Sequence, residues 1–205
     1  NTFALATGGN DTINALNLSG SQDVTVRVAT AELSAVTLDA SAATGAVVVR
    51  VDNNGGGSLN ANLWSGVDNL ILADGTAPAL GGDGLNATGL KSGQKITLVD
   101  DAGASTLGFV GVSGSSDTTT IVLDNETAST DIDVTSIDVQ NVETLNIQSL
   151  GKAGTTAGAT NENLIDSLTG DATTISITGD TALEVDLAID APTTGSRSVT
   201  VDASA

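Results

Sequence analysis

Leu183-Glu184-Val185-Asp186-Leu187-Ala188-Ile189 is the stretch from which the fold is read. Large apolar residues alternate there with two carboxylates and an alanine. A β-strand turns successive side chains to opposite faces, so this run has one apolar face and one acidic face. A helix would scatter the same residues around its circumference. Outward from this run the pattern recurs. Val24, Val26 and Val28 alternate with Thr25 and Arg27, and Val47, Val49 and Val51 alternate with Val48 and Arg50. Shorter pairs follow the same period: Ile96 and Leu98, Ile121 and Leu123, Leu145 and Ile147, Ile175 and Ile177. Threonine is the frequent outward residue, as a pleated surface favours. Gly-, Asn-, Asp- and Ser-rich stretches lie between the runs, at 52–57, 81–84, 111–117 and 151–160. These are turn and loop compositions. Helix is expected only as single turns, at Thr30–Ser34 and Asn161–Leu168.

The runs also repeat. Val36-Thr37-Leu38-Asp39-Ala40-Ser41-Ala42 returns as Val199-Thr200-Val201-Asp202-Ala203-Ser204-Ala205, an offset of 163 residues (199 − 36). Ser19-Gly20 followed by Val24, Val26 and Val28 returns as Thr178-Gly179 followed by Leu183, Val185 and Leu187, an offset of 159 (179 − 20). Leu16-x-Leu18 matches Ile175-x-Ile177. Residues 14–42 and 173–205 are thus two copies of one unit. A second pair joins Gly66-Val67-Asp68-Asn69-Leu70-Ile71-Leu72 to Asn141-Val142-Glu143-Thr144-Leu145-Asn146-Ile147. Stacked short strands with polar turns predict an all-β chain, a β-solenoid (parallel β-helix-like) with irregular loops, in which each turn buries its face against its neighbours. A β-sandwich is the alternative, because periodicity does not separate the two. The expected organisation is one continuous repetitive segment of a longer protein, residues 1–205, with sub-units of roughly 1–60, 61–150 and 151–205.

Composition narrows the function. The chain holds 25 acidic residues against 6 Lys and Arg, a formal net charge of −19. Nucleic acid and anionic membrane surfaces are excluded as expected partners, since no basic patch is available to displace counterions. Hydrophobic residues make up 40% of the chain, so it should fold rather than stay disordered. Aromatic residues make up only 1% (Phe3, Trp64, Phe109), which implies a thin aliphatic core with Trp64 packing at a segment junction. No run is long enough to span a membrane. Histidine and cysteine are both absent. Without them there is no Ser–His or Cys–His pair and no zinc site of the usual ligand type. Lys91 and Lys95 lack a catalytic context, and paired carboxylates lack the aromatic lining of a sugar cleft. No catalysis is expected.

The carboxylates point instead to calcium. Many fall where a strand gives way to a turn, placing side-chain oxygens beside free carbonyls: Asp39, Asp52 with Asn53, Asp100, Asp101, Asp124 and Asp202. Calcium takes about 6–8 oxygen ligands of that mixed kind. Gly81-Gly82-Asp83-Gly84-Leu85-Asn86 approximates the calcium nonapeptide, with Asn86 where Asp is usual; Gly9-Asn10-Asp11-Thr12-Ile13 matches its second half. The candidate metal ligands are therefore Asp11, Asp52, Asn53, Asp83, Asn86, Asp100, Asp101 and Asp124. For each of them, capping of a backbone N–H or a plain turn is the competing role.

Taken in order, Val142-Glu143-Thr144-Leu145-Asn146-Ile147, then Ile175 to Leu183, then Val199 to Ala205 resembles the repeat of type I-secreted bacterial surface-layer proteins of the RTX class. Val36 to Gly45 carries the same signature. The resemblance covers most of residues 1–50 and 140–205, and the middle matches in style only. It implies a secreted, extracellular protein of the cell surface that assembles with itself into a crystalline layer. Bound Ca2+ would drive that assembly, and a cell-surface polysaccharide would be met through another domain. An RTX-type adhesin or biofilm matrix protein is the alternative, and an acidic β-helix enzyme a third.

Overall fold

Among the residues that the computed structural model describes, every strand pairing is parallel. The structure describes residues 1–5, 14–29, 36–52, 57–73, 85–99, 102–109, 116–124, 131–151, 162–188 and 200–202. One long sheet holds nine strands in the order β1 (Thr2–Leu5), β3 (Val24–Ala29), β5 (Val47–Asp52), β8 (Asn69–Ala73), β10 (Lys95–Leu98), β12 (Thr118–Asp124), β14 (Thr144–Leu150), β16 (Thr174–Gly179) and β18 (Thr200–Asp202). The strands between them form a second wall in two pieces. Three strands, β2 (Ala15–Gly20), β4 (Thr37–Ala43) and β7 (Trp64–Ser65), make the first piece. Six make the other: β6 (Gly57–Asn60), β9 (Leu85–Leu90), β11 (Ala102–Phe109), β13 (Asp133–Gln140), β15 (Glu162–Gly170) and β17 (Ala182–Leu187). A chain that alternates between two parallel sheets and adds each new strand beside the last is winding as a coil. The fold is all-β, a two-walled β-solenoid. An immunoglobulin-type sandwich would pair its strands antiparallel.

The core follows from the period-two pattern. Phe3, Val26, Val49, Leu70, Ile96, Ile121, Ile147 and Ile177 form one inward column of the long sheet, each in register with the next. Val26, Ile96, Ile121 and Ile147 are fully buried, and Phe3, at the open edge of β1, is 53% exposed. The second wall supplies the facing layer, including Leu38, Leu107, Val139, Ile165 and Leu168. Measured along the long sheet, coils run from 21 residues (Val49 to Leu70) to 30 residues (Ile147 to Ile177). That variation is absorbed outside the ladders, which is why the strands are unevenly spaced in sequence. Eight strand spacings give the long sheet a length of about 38 Å.

The second wall breaks at a short 3-10 turn, Ala61–Leu63, which the sequence reading did not anticipate. Before it, β6 starts the six-stranded piece; after it, β7 ends the three-stranded piece. Trp64 is buried at this junction, and its Nε1–H donates to the Val36 carbonyl at 3.3 Å. The expected packing role is observed.

One expectation is overturned. The helical turn anticipated at Asn161–Leu168 is absent: Glu162 to Gly170 is strand β15. Its inward residues are Asn163, Ile165, Leu168 and Gly170, because Asp166 and Ser167 together occupy a bulge. The bulge stretches one step of the alternation from two residues to three and so imitates helical spacing. The turn expected at Thr30–Ser34 lies outside the described residues, and so does Ile189 of the opening stretch.

The two copies of the repeated unit fold alike but in opposite walls. In residues 14–42 the strands are β2, β3 and β4, with β3 in the long sheet. In residues 173–205 they are β16, β17 and β18, with β17 in the second wall. An odd number of half-coils separates the copies. The second pair, 66–72 and 141–147, falls twice on the same wall, leading into β8 and β14. Gly66 (φ 69°) and Asn141 (φ 63°) turn the corner in the left-handed region, which Gly and Asn tolerate best. The following Val67 and Val142 are buried.

Candidate functional site

The corners that lead into the long sheet gather carboxylates. Asp23 Oδ1 accepts the Ala46 N–H at 2.8 Å, and Asp68 Oδ2 accepts the Val47 N–H at 2.8 Å. Glu143 Oε2 accepts the Asp117 N–H at 3.0 Å, and Asp171 Oδ2 accepts the Asn141 N–H at 3.0 Å. Each bond links neighbouring coils, between residues 21 to 30 apart in sequence. A corner leaves the ladder, so its N–H groups need another acceptor, and a short acidic side chain supplies one. The sequence signal for two of these was the aligned pair Val67-Asp68 and Val142-Glu143.

Asp39 shows the same use in the second wall. The sequence pattern puts it at a strand end, but β4 runs on to Ala43 and Asp39 is its third residue. A register shift beside it leaves one extra residue on β4. Asp39 Oδ1 accepts the Ser41 hydroxyl at 2.6 Å and its N–H at 3.0 Å, and the Ser65 hydroxyl at 2.8 Å. These donors favour the charged form. The Ser41 hydroxyl and N–H, then the Ser65 hydroxyl, lower the Asp39 pKa from 3.8 to about 2.

The candidate calcium ligands distribute as follows. Asp11, Asn53, Asp83, Asp100 and Asp101 lie outside the described residues. Asp52 ends β5, in register with Ala29 and Ala73. Asp124 ends β12, in register with Leu150. Asn86 is exposed on β9, in register with Ser58 and Thr106. Asn86 belongs to the second wall, while Asp52 and Asp124 belong to the long sheet with β8 and β10 between them, about 14 Å of ladder. The described residues therefore do not bring these three together. Among the described residues no group of three acidic, His or Cys side chains could hold a metal ion.

Two shallow depressions follow the corner ridge. One is lined by Ser41, Thr44, Gly66 and Asp68, the other by Trp64, Asp68, Lys91 and Gln94. Each holds a single carboxylate, and Asp68 in both is the one already bonded to the Val47 N–H. The buried polar side chains are likewise used in packing. Gln94 Oε1 accepts the Lys91 N–H at 2.8 Å, and its Nε2 donates to the Val67 carbonyl at 3.3 Å. Among the described residues no helix is long and apolar enough to cross a membrane. No family model, curated protein or solved structure matches the chain.

The faces carry the remaining chemistry. On the long sheet the strand-borne cations are Arg27, Arg50 and Lys95, with Arg27 and Arg50 adjacent in register. On the second wall, β13, β15 and β17 carry Asp133, Asp138, Glu162, Asp166, Glu184 and Asp186. Among the described residues, no strand of the second wall contains Lys or Arg.

Proposed function

We propose that the chain is a structural subunit of a crystalline bacterial cell-surface layer, secreted and assembled with itself in the presence of calcium. The observation that carries this reading is the use of polar groups in the solenoid. The carboxylates at Asp23, Asp39, Asp68, Glu143 and Asp171 tie backbone and hydroxyl groups together, and Asp68, which lines both shallow depressions, is already bonded to the Val47 N–H. What remains for partners is two broad walls and a large negative charge. A solenoid with two broad sheet faces suits a building block. The ordered motifs from Val142 to Ala205 add the resemblance to surface-layer repeats. Calcium enters through electrostatics: a charge of −19 opposes the approach of identical copies, and divalent cations relieve it.

The test is calcium titration of the purified chain, followed by light scattering and electron microscopy, with a chelator control. Ordered sheets that form with calcium and dissolve on chelation are the expected result. A chain that stays single at every calcium concentration overturns the reading.

A further inference from the structure

The two copies of the repeated unit differ in one systematic way. Val24, Val26 and Val28 of β3 align with Leu183, Val185 and Leu187 of β17, so Thr25 aligns with Glu184 and Arg27 with Asp186. The apolar positions are kept and the outward charge is reversed. The structure puts β3 in the long sheet and β17 in the second wall. One unit therefore presents a cation on one side of the solenoid and two anions on the other.

The neighbours extend both patches. On the long sheet, Arg27 and Lys95 are exposed and Arg50 half-buried, across strands β3, β5 and β10. The acidic residues in strands of that sheet are Asp52, Asp124 and Asp202, each the last residue of its strand. Asp23 and Asp68 flank the patch at the corners, where each already accepts a backbone N–H. On the second wall, Asp133, Asp166, Glu184 and Asp186 are exposed, while Glu162 and Asp138 are half-buried. For copies that each carry −19, the long sheet is the side on which cations are grouped.

We propose that copies of this chain associate face to face, the acidic second wall of one against the cation-bearing long sheet of the next. The two surfaces differ, so the contact is heterologous and an associated pair keeps one free face of each kind. Such a contact propagates into an open string rather than closing as a dimer. This deepens the self-assembly reading by naming the faces, and relies on that reading only for taking a second copy as the partner. The attraction is between opposite charges at a solvated surface, so it is screened by salt and needs no calcium.

The test is sedimentation of the whole chain in chelator, at about 0.15 M and about 1 M salt, where the screening length is about 8 Å and about 3 Å; at the lower concentration the long-range repulsion between copies of −19 is already screened while facing charges in contact still attract. Growth in size at low salt and single chains at high salt are expected. Two double variants reverse one face each: Arg27→Glu with Lys95→Glu, and Glu184→Lys with Asp186→Lys. Each alone should weaken association more than about tenfold, because like charges then face one another. Mixed together, the two are complementary at both contacts, the original pair of faces at one and the reversed pair at the other, and should regain strings in which they alternate. Circular dichroism and melting check that each variant folds. Should the arginine variant not fold, Lys95→Glu alone takes its place.

Single wild-type chains at low salt, or reversal variants that associate like wild type, overturn the proposal. Calcium-driven sheets that ignore these variants would sink the named faces and leave the layer reading standing. Salt-sensitive strings without calcium-driven sheets would do the opposite.

Discussion

Replacing Asn163 with leucine should be among the most damaging single changes in the solenoid, although it keeps the same branched skeleton and removes no volume. Asn163 is 2% exposed on β15. Its Oδ1 accepts the Ile132 N–H at 3.0 Å, and its Nδ2 donates to Ser149 Oγ at 2.9 Å and to the Leu150 carbonyl at 3.2 Å. One amide thus ties the end of β14 to β15 and to the residue before β13, one coil earlier. Leucine removes the acceptor of the N–H of Ile132, whose own side chain is fully buried. A buried orphan costs about 1–3 kcal/mol. Ser149 Oγ keeps a long bond to the Ala182 carbonyl at 3.4 Å, so its loss is partial. The sum is about 3 kcal/mol, or a fall in melting temperature of about 6–12 °C for a chain of this size. Urea denaturation should report the loss, and hydrogen exchange should locate it at the Ile132 amide. Ser149→Ala should cost about 1 kcal/mol, and the double variant less than the sum, because the two side chains share a bond. A loss below about 1 kcal/mol with an unchanged Ile132 exchange rate would refute the reasoning.

Two further perturbations probe the turns. The Ser41 and Ser65 hydrogen bonds lower the Asp39 pKa to about 2 from its ordinary 3.8, so its charged form is favoured by folding. That contribution is present above the unfolded value and fades as pH falls from about 4 to about 2. Asp39→Asn should therefore lower the melting temperature at neutral pH and match wild type below that window; an equal deficit at all pH values would exclude the carboxylate as the cause. Gly170 has φ 141°, and a Cβ there would lie 2.0 Å from the Val139 carbonyl oxygen, whereas a Cβ at Gly108 would lie 3.6 Å from Ala87 O. Gly170→Ala should cost more than about 2 kcal/mol and Gly108→Ala less than about 0.5, measured by thermal melting, and similar effects at both would remove the steric account.

The alternation of apolar residues made the strands legible because each column of the core repeats it. Val26, Val49, Ile96, Ile121 and Ile147 were each visible locally and fall into one register. Parallel pairing was not legible, since a period of two is the same in a sandwich. The misreading at Asn161–Leu168 has a definite origin. Ile165 and Leu168 pair with Val134 and Ile137 across β13 and β15, so both strands carry the same widened step. A bulge shared by neighbours is invisible to a search along one strand. Corner carboxylates were legible as residues but not as bonds. Asp68 reaches a residue 21 positions back and Asp171 one 30 positions back, and coil length sets that reach. Of the ligand candidates, Asp52 and Asp124 were correctly placed at strand ends, but their separation depends on how many coils intervene.

The position of the repeated unit explains why its two copies can differ so much outside the core. Each strand of a solenoid touches only its neighbours in the same wall and the layer facing it. A unit of strand, glycine turn, strand, loop and strand fits either wall, provided its alternate residues stay apolar. Gly20 and Gly179 both keep positive φ, at 108° and 132°, in copies that start on opposite walls. The core code is indifferent to the wall, so no packing constraint fixes whether the residue at a given outward position is Arg27 or Asp186. The solenoid therefore separates two tasks along a single strand. Inward residues such as Val26 and Val185 hold the coil, and outward residues are left to set what each wall attracts. In a chain of −19, grouping the strand cations on one wall produces two unlike faces without disturbing the stack beneath them.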